Sequence, residues 1–133
     1  MRIIAGTLKN RRIKSREGRE TRPTLERIKE AIFSIIGEKV AGAKFLDFYS
    51  GTGNVTFEAL SRGAERAIMI EEDKDALRVI IENVNHLLLN IFKEQTKDRH
   101  WTVIIEETFD KVIRYHFTYY EKGLMHVTQT IEN

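Results

Sequence analysis

The 133-residue chain has no cysteine, a single proline and a single tryptophan. Without cysteine there is no disulfide framework, no thiolate metal site and no cysteine nucleophile, an economy that suits a reducing compartment. No apolar run is long enough to span a bilayer as a helix. The opening residues, Met1-Arg2-Ile3-Ile4-Ala5-Gly6, lack the apolar segment of a secretory signal, so a cytoplasmic location without membrane contact is expected. The histidines His86, His100, His116 and His126 show no metal-ligand spacing, and no metal is expected. Ser50 and Ser61 lack the Gly-x-Ser-x-Gly setting of a nucleophile elbow.

What the chain has is an uneven charge distribution. Residues 1–22 hold eight basic side chains against two acids, a net +6; the remainder holds 14 basic and 18 acidic residues, a net −4. A cationic arm on a mildly acidic body suits a polyanionic partner, although a solvated tail would have the same composition. The patterning divides the chain into a basic arm, 1–22, and a domain, 23–133. In the arm, β-like pieces at 2–6 and 12–14 flank a polar turn at Lys9-Asn10, which predicts a hairpin. Pro23 and Thr24 then open a helix, with Thr24 as candidate N-cap. Leu25, Ile28, Ile32, Ile35 and Ile36 fall on its apolar face, and Gly37 is a candidate stop.

From there, strand and helix alternate. The periodicity predicts strands at 44–49, 67–71, 102–106 and, more weakly, 111–115. It predicts helices at 55–62, 73–88 and 124–131, the second with Leu77, Ile80, Ile81, Val84 and Leu88 on one face. Such alternation implies a doubly wound parallel α/β sheet, here a shortened one.

The segment Asp47-Phe48-Tyr49-Ser50-Gly51-Thr52-Gly53 ends one strand and opens one helix. Glycines there allow a sharp turn and a close approach of backbone to ligand. Glu71 ends the next strand, where a carboxylate can accept hydrogen bonds from ribose hydroxyls. The position three beyond Gly53 is Thr56, not the glycine of a dinucleotide fingerprint. Asp47 would repel a pyrophosphate but suits an amino-acid ammonium. Together these favour S-adenosylmethionine over a dinucleotide.

Several blocks of the chain resemble the RsmD-type 16S ribosomal RNA guanine-N2 methyltransferases. The first is Met1-Arg2-Ile3-Ile4-Ala5-Gly6. Thr21-Arg22-Pro23-Thr24 and Arg27-Ile28-Lys29-Glu30-Ala31-Ile32-Phe33 follow. Next come residues 47–53, Glu58-Ala59-Leu60-Ser61-Arg62-Gly63-Ala64, and Glu71-Glu72-Asp73-Lys74 with Asn83. The resemblance runs through about Leu88. It implies a Rossmann-like S-adenosylmethionine-dependent methyltransferase fold led by a basic N-terminal β-hairpin arm. It further implies that Asp47, Ser50, Gly51 and Gly53 line the methionine end of the cofactor, that Glu71 holds the ribose and that an acid after the third strand, Glu106 or Glu107, contacts the adenine. Arg2, Lys9, Arg11, Arg12, Lys14, Arg22 and Thr24 would meet RNA, in free or assembling small ribosomal subunits.

The family's catalytic signature, an Asp or Asn followed by Pro-Pro and an aromatic residue, is absent, because the chain contains no Pro-Pro. His116-Phe117-Thr118-Tyr119 stands in its place. By position, His116 would accept a hydrogen from the guanine amine and Tyr119 would stack on the base. The expected activity is methyl transfer from S-adenosylmethionine to guanine N2; the alternative is a relative that binds RNA and cofactor without catalysis.

Overall fold

A computed structural model describes residues 1–16, 23–89, 102–108, 112–119 and 125–132, with side chains described within 1–16 and 25–87. The β/α alternation read from the sequence appears as β1 (Lys44–Phe48), α2 (Asn54–Ser61), β2 (Arg66–Ile70) and α3 (Lys74–Asn83), preceded by α1 (Pro23–Ile36). A π-helical segment, Val84–Leu89, continues α3. Asp73 caps α3 by accepting from the backbone N–H groups of Asp75 and Ala76 at 2.9 and 3.0 Å, which satisfies two donors that the helix cannot pair internally. Pro23 takes the first position of α1, where its missing N–H costs nothing. Thr24 therefore stands inside the helix, not before it.

Three further strands complete one sheet in the order β1-β2-β3-β4-β5: β3 (Thr102–Thr108), β4 (Val112–Tyr119) and β5 (Met125–Glu132). β1, β2 and β3 are parallel, whereas β4 and β5 are antiparallel to their neighbours. This corrects two expectations. The segment predicted as a helix at 124–131 is strand β5. The fourth strand does not stop at 115 but runs through Tyr119. The parallel β1–β3 unit with its helices is the expected Rossmann-like α/β arrangement, and β4 and β5 extend it antiparallel.

Connection length accounts for the direction. Only residues 109–111 separate β3 from β4, and 120–124 separate β4 from β5. A parallel crossover needs about 10–12 residues or more, so links this short join antiparallel neighbours. Residues 125–132 contain Val127, Thr128, Thr130 and Ile131. These β-branched residues favour an extended chain, although Val127 and Ile131 also match a helical period.

Helices cover one face of β1 and β2. Phe45 packs against the core to which Ala67 and Met69 belong, together with Phe57 and Leu60 of α2 and Leu77 and Ile80 of α3. On the opposite face Leu46 and Phe48 are 52% and 61% exposed.

The arm is part of the core. Ile3, Leu8 and Ile13 are buried in the same cluster, and each such side chain is worth about 1.5–3 kcal/mol when fully removed from water. The expected hairpin reduces to one antiparallel bridge between Arg2 and Arg12. The chain between them is drawn down onto α2: Thr7 N–H reaches the Ser61 carbonyl and Leu8 N–H reaches Ser61 Oγ, both at 2.9 Å. Gly6 is required there, since a Cβ would stand 1.9 Å from the Ser61 carbonyl oxygen.

The face of α1 expected to be buried is the exposed one. Leu25, Ile28, Ile32 and Ile35 are exposed, Ile35 at 86%, whereas Lys29 and Phe33 are buried at 2% and 1%. The buried stripe is turned by roughly a quarter of the circumference, at 100° per residue. Phe33 stacks on Phe45 with centroids 6.4 Å apart, and the Arg62 guanidinium lies 4.9 Å over the Phe33 ring. The polar bonds of Lys29, described below, lie on the same buried stripe.

Candidate cofactor site and nucleic-acid arm

The parallel strands β1 and β2 end side by side, with Phe48 in register with Ile70. Loops at the carboxyl ends of parallel strands are where α/β sheets bind ligands. The loop after β1 reverses through three left-handed residues: Tyr49 (φ 58°), Gly51 (φ 58°) and Gly53 (φ 85°). Ser50 is buried, and its N–H donates to the Ile70 carbonyl at 3.2 Å. Gly53 N–H closes the turn on the Ser50 carbonyl at 2.9 Å. At Gly53 a Cβ would meet Phe57 Cε2 at 2.5 Å, so α2 packs directly on the glycine. At Gly51, chain neighbours apart, no atom of the described residues lies within 4 Å of where a Cβ would stand. That gap is a place in the loop where a ligand could approach the backbone.

Two carboxylates flank the gap. Glu71 Oε2 accepts from Gly51 N–H at 2.9 Å, and its Oε1 accepts from Asp73 N–H at 3.1 Å. A carboxylate has about four acceptor positions, so Glu71 retains capacity for hydroxyl donors after both bonds. Asp47 Oδ2 accepts from Thr56 Oγ1 at 2.7 Å. Burial pushes the Asp47 carboxyl above its ordinary pKa; the Thr56 bond opposes the shift and the charge of Glu71 adds to it. A carboxylate in that condition gains from a cation beside it. The carboxylate acceptors and the open glycine backbone therefore fit a ligand that carries both hydroxyls and an ammonium, as S-adenosylmethionine does.

Asp47, Ser50, Gly51, Gly53 and Glu71 thus converge on one edge. Glu106 lies on β3 in register with Ile70, at the same carboxyl edge. His116 and Tyr119 are not brought there. β4 runs against β3, which places His116 in register with Ile104 in mid-sheet. Tyr119 follows Thr118, the partner of Thr102 at the first residue of β3. It therefore stands at the opposite edge of the sheet, five residues along β4 from Arg114, the partner of Glu106, or about 17 Å at ~3.3 Å per residue.

On the arm, Arg2, Lys9, Arg11, Arg12 and Lys14 are all exposed. Lys14 pairs with Glu82 at 3.5 Å, and Arg16 with Asp73 and Asp75 at 3.3 and 3.9 Å. Arg22 lies outside the described residues, and Thr24 sits in the first turn of α1.

Three buried polar residues were not singled out for a role by sequence reasoning. Lys29 Nζ and Glu58 Oε1 form a buried ion pair at 3.0 Å. Glu58 also accepts from Ile4 N–H, Ala5 N–H and Arg62 Nε at 2.8, 3.2 and 2.9 Å. Burial raises the Glu58 pKa, but the Ile4, Arg62 and Lys29 bonds outweigh it and hold the carboxyl below its ordinary value. The third residue, Asn83, is wholly buried on α3. No periodicity signals these residues; only the family blocks contained them. Among the described residues no cluster could hold a metal ion, and no helix is long and apolar enough to cross a membrane.

The strand–glycine loop–helix unit, the acid after β2 and the parallel β1–β3 sheet define an α/β domain of the Rossmann-like methyltransferase type. The chain belongs to the RsmD family: the family model described as "Conserved hypothetical protein 95" matches residues 1–118. It is 40% identical over 89 residues to YlbH of Bacillus subtilis, covering 67% of this chain and 48% of that protein. It is 30% identical over 100 residues to the ribosomal RNA small subunit methyltransferase D of Buchnera aphidicola (subsp. Acyrthosiphon pisum), covering 74% and 52%. The chain thus spans about half the length of these curated relatives. Among solved structures, yhhF from Escherichia coli, named as a methyltransferase, matches with a TM-score of 0.58 at 30% identity, over 65% of this chain and 46% of that one.

Proposed function

We propose that this chain is the cofactor-binding and RNA-binding part of an rRNA methyltransferase that uses S-adenosylmethionine and modifies guanine N2 in small-subunit ribosomal RNA. The observation that carries the reading is the open Gly51 backbone between Asp47 and Glu71. When bound, S-adenosylmethionine supplies an electrophilic methyl group on a sulfonium. Asp47 neutralises the ammonium of its amino-acid end, Glu71 accepts from the ribose hydroxyls, and Glu106, at the same strand edge, is assigned to the adenine. Arg2, Lys9, Arg11 and Arg12 meet phosphates, which position RNA without reading its sequence. The supporting names are those of relatives called ribosomal RNA small subunit methyltransferases.

A second reading is a relative that binds cofactor and RNA but does not transfer methyl. The position of Tyr119 at the far edge of the sheet favours it, because base and cofactor must meet within about 3–3.5 Å for transfer.

Transfer of labelled methyl from S-adenosylmethionine to undermodified small ribosomal subunits decides between the two, with Asp47→Ala as control. Label on guanine N2 that disappears in the control supports the enzyme. Saturable binding of S-adenosylhomocysteine with no transfer supports the binding module. If neither transfer nor binding occurs, both readings fail.

A further inference from the structure

Gly53 is tied on both sides to the basic arm through buried polar side chains. On one side is Asn83. Its Oδ1 accepts from Lys14 N–H at 2.8 Å, and its Nδ2 donates to the Lys14 carbonyl and to the Thr52 carbonyl, each at 3.0 Å. On the other side is Lys29. Its Nζ donates to the Arg2 carbonyl at 2.8 Å and to Asn54 Oδ1 at 2.9 Å, and it pairs with the Glu58 carboxylate that holds Ile4 and Ala5. Each junction has arm backbone at one end and an immediate neighbour of Gly53 at the other.

We infer that Asn83 and Lys29 are positioning residues that couple the basic arm to the cofactor loop, so that occupying one favours the binding conformation of the other. The inference rests on the reading that the loop takes S-adenosylmethionine and the arm takes RNA. Both junctions are buried, so displacing the arm strips Asn83 of its two Lys14 bonds, Lys29 of the Arg2 carbonyl and Glu58 of two amide donors, which is costly. Arm and loop therefore do not move independently. A ligand that orders residues 51–53 also orders the carbonyls at Thr52 and Asn54 and, through them, the backbone at Lys14 and Arg2. By linkage, RNA held on the arm raises the affinity of the loop by the same factor.

The arm contacts on either side of the coupling are chemically distinct, which makes it separable by mutation. Asn83→Asp keeps an acceptor for Lys14 N–H but loses both donated bonds, including the one to the loop. It thus severs the Asn83 junction with little change of shape and leaves the Lys29 junction in place. An altered melting temperature alone would reflect only packing, so the readouts are protection and a ratio of affinities.

The test is amide hydrogen exchange of the whole chain with and without S-adenosylhomocysteine. The ligand is expected to slow exchange at Gly51 and Gly53 and also at Ile4, Ala5, Leu8 and Lys14. In Asn83→Asp the ligand still slows exchange at the loop amides but no longer adds protection at Lys14. In parallel, a small-subunit rRNA fragment is expected to tighten S-adenosylhomocysteine binding to the wild-type chain by about fivefold or more, and to tighten that of Asn83→Asp by a smaller factor. Protection confined to the loop of the wild-type chain overturns the coupling while leaving the cofactor reading intact. So does a variant that keeps the full ratio. Failure of the ligand to protect any amide overturns the cofactor reading and the coupling with it, a pattern distinct from loop-only protection. Should Asn83→Asp not fold, the wild-type exchange pattern decides by itself.

Discussion

Glu71 Oε2 accepts a hydrogen bond from Gly51 N–H at 2.9 Å and so joins the loop after β1 to the loop after β2. One carboxylate thereby sets the shape of the glycine turn and supplies the acceptor expected to meet a ribose. Glu71→Ala removes both functions and is expected to weaken S-adenosylhomocysteine binding by roughly 10- to 100-fold, the equivalent of about 1.5–3 kcal/mol for bonds to a charged group. Glu71→Gln keeps one acceptor oxygen and should lose less. Titration calorimetry on the two variants checks this; unchanged affinity in Glu71→Ala would remove Glu71 from the site.

Asp47 is expected to make cofactor affinity dependent on pH. Its carboxyl is raised by burial, so it takes up a proton at higher pH than an ordinary aspartate. An ammonium beside it favours the ionised form, and binding therefore releases a proton below that raised pKa. Affinity should rise with pH through the Asp47 pKa and become flat above it. Asp47→Asn should abolish the slope and bind weakly throughout. Binding measured across acidic to neutral pH provides the comparison, and a slope that survives in Asp47→Asn assigns the dependence to another group.

The two loop glycines should respond differently to alanine. Both carry positive φ, which costs an L-residue about 1–2 kcal/mol. At Gly53 the new Cβ also meets Phe57 at 2.5 Å and Met69 Sδ at 3.1 Å, whereas Gly51 faces open space. Gly53→Ala is expected to destabilise the chain by about 1–3 kcal/mol more than Gly51→Ala. Gly51→Ala should instead lose cofactor affinity, because its Cβ enters the ligand's approach. Denaturant unfolding with a parallel binding assay separates the two effects.

Lys29→Met leaves Glu58 buried with two amides and Arg62 but without its fully buried cation. Loss of one partner of such a pair is expected to cost about 3 kcal/mol, measurable by urea unfolding. The pair also shapes the acid limb of stability. Glu58 is held below its ordinary pKa, so its contribution is fully present above the unfolded-state carboxylate value and is lost as pH falls through the depressed one. Glu58→Gln should be less stable at neutral pH and show a flatter acid limb.

On the arm, Lys9→Ala, Arg11→Ala and Arg12→Ala should each weaken RNA binding to a similar extent whatever the sequence, and each should lower the slope of log affinity against log salt by about one. Lys14→Ala should do less, since Lys14 is already shared with Glu82. Filter binding over a range of salt concentrations tests the order.

Much of the front half was legible from local pattern. The unit from β1 to α3 alternates on a short scale, the glycine turn sits between a strand and a helix, and the acid stands at the end of the next strand. Each of these is decided within about ten residues by side-chain period and by the demand for positive φ. The basic arm was legible as charge, but its burial was not. Ile3, Leu8 and Ile13 are spaced five apart, which is neither the helical nor the strand period, and they enter the core because Glu58, Ser61 and Asn83, far along the chain, offer partners to the arm backbone.

By itself, then, the sequence determined the parallel β/α front, the glycine loop with Asp47 and Glu71, and the family, because these depend on neighbouring residues. Tertiary structure alone decided which face of α1 is buried: Lys29, paired with Glu58, and Phe33, stacked on Phe45, face the core, while Leu25, Ile28, Ile32 and Ile35 are exposed. It decided that residues 125–132 form a strand, because β4 offers a ladder that an isolated eight-residue segment lacks. It also decided where His116 and Tyr119 stand. Their distance from the glycine loop is set by the antiparallel pairing of β4 with β3, and hydrogen-bond register between strands is a property of the pair, not of either strand's own residues.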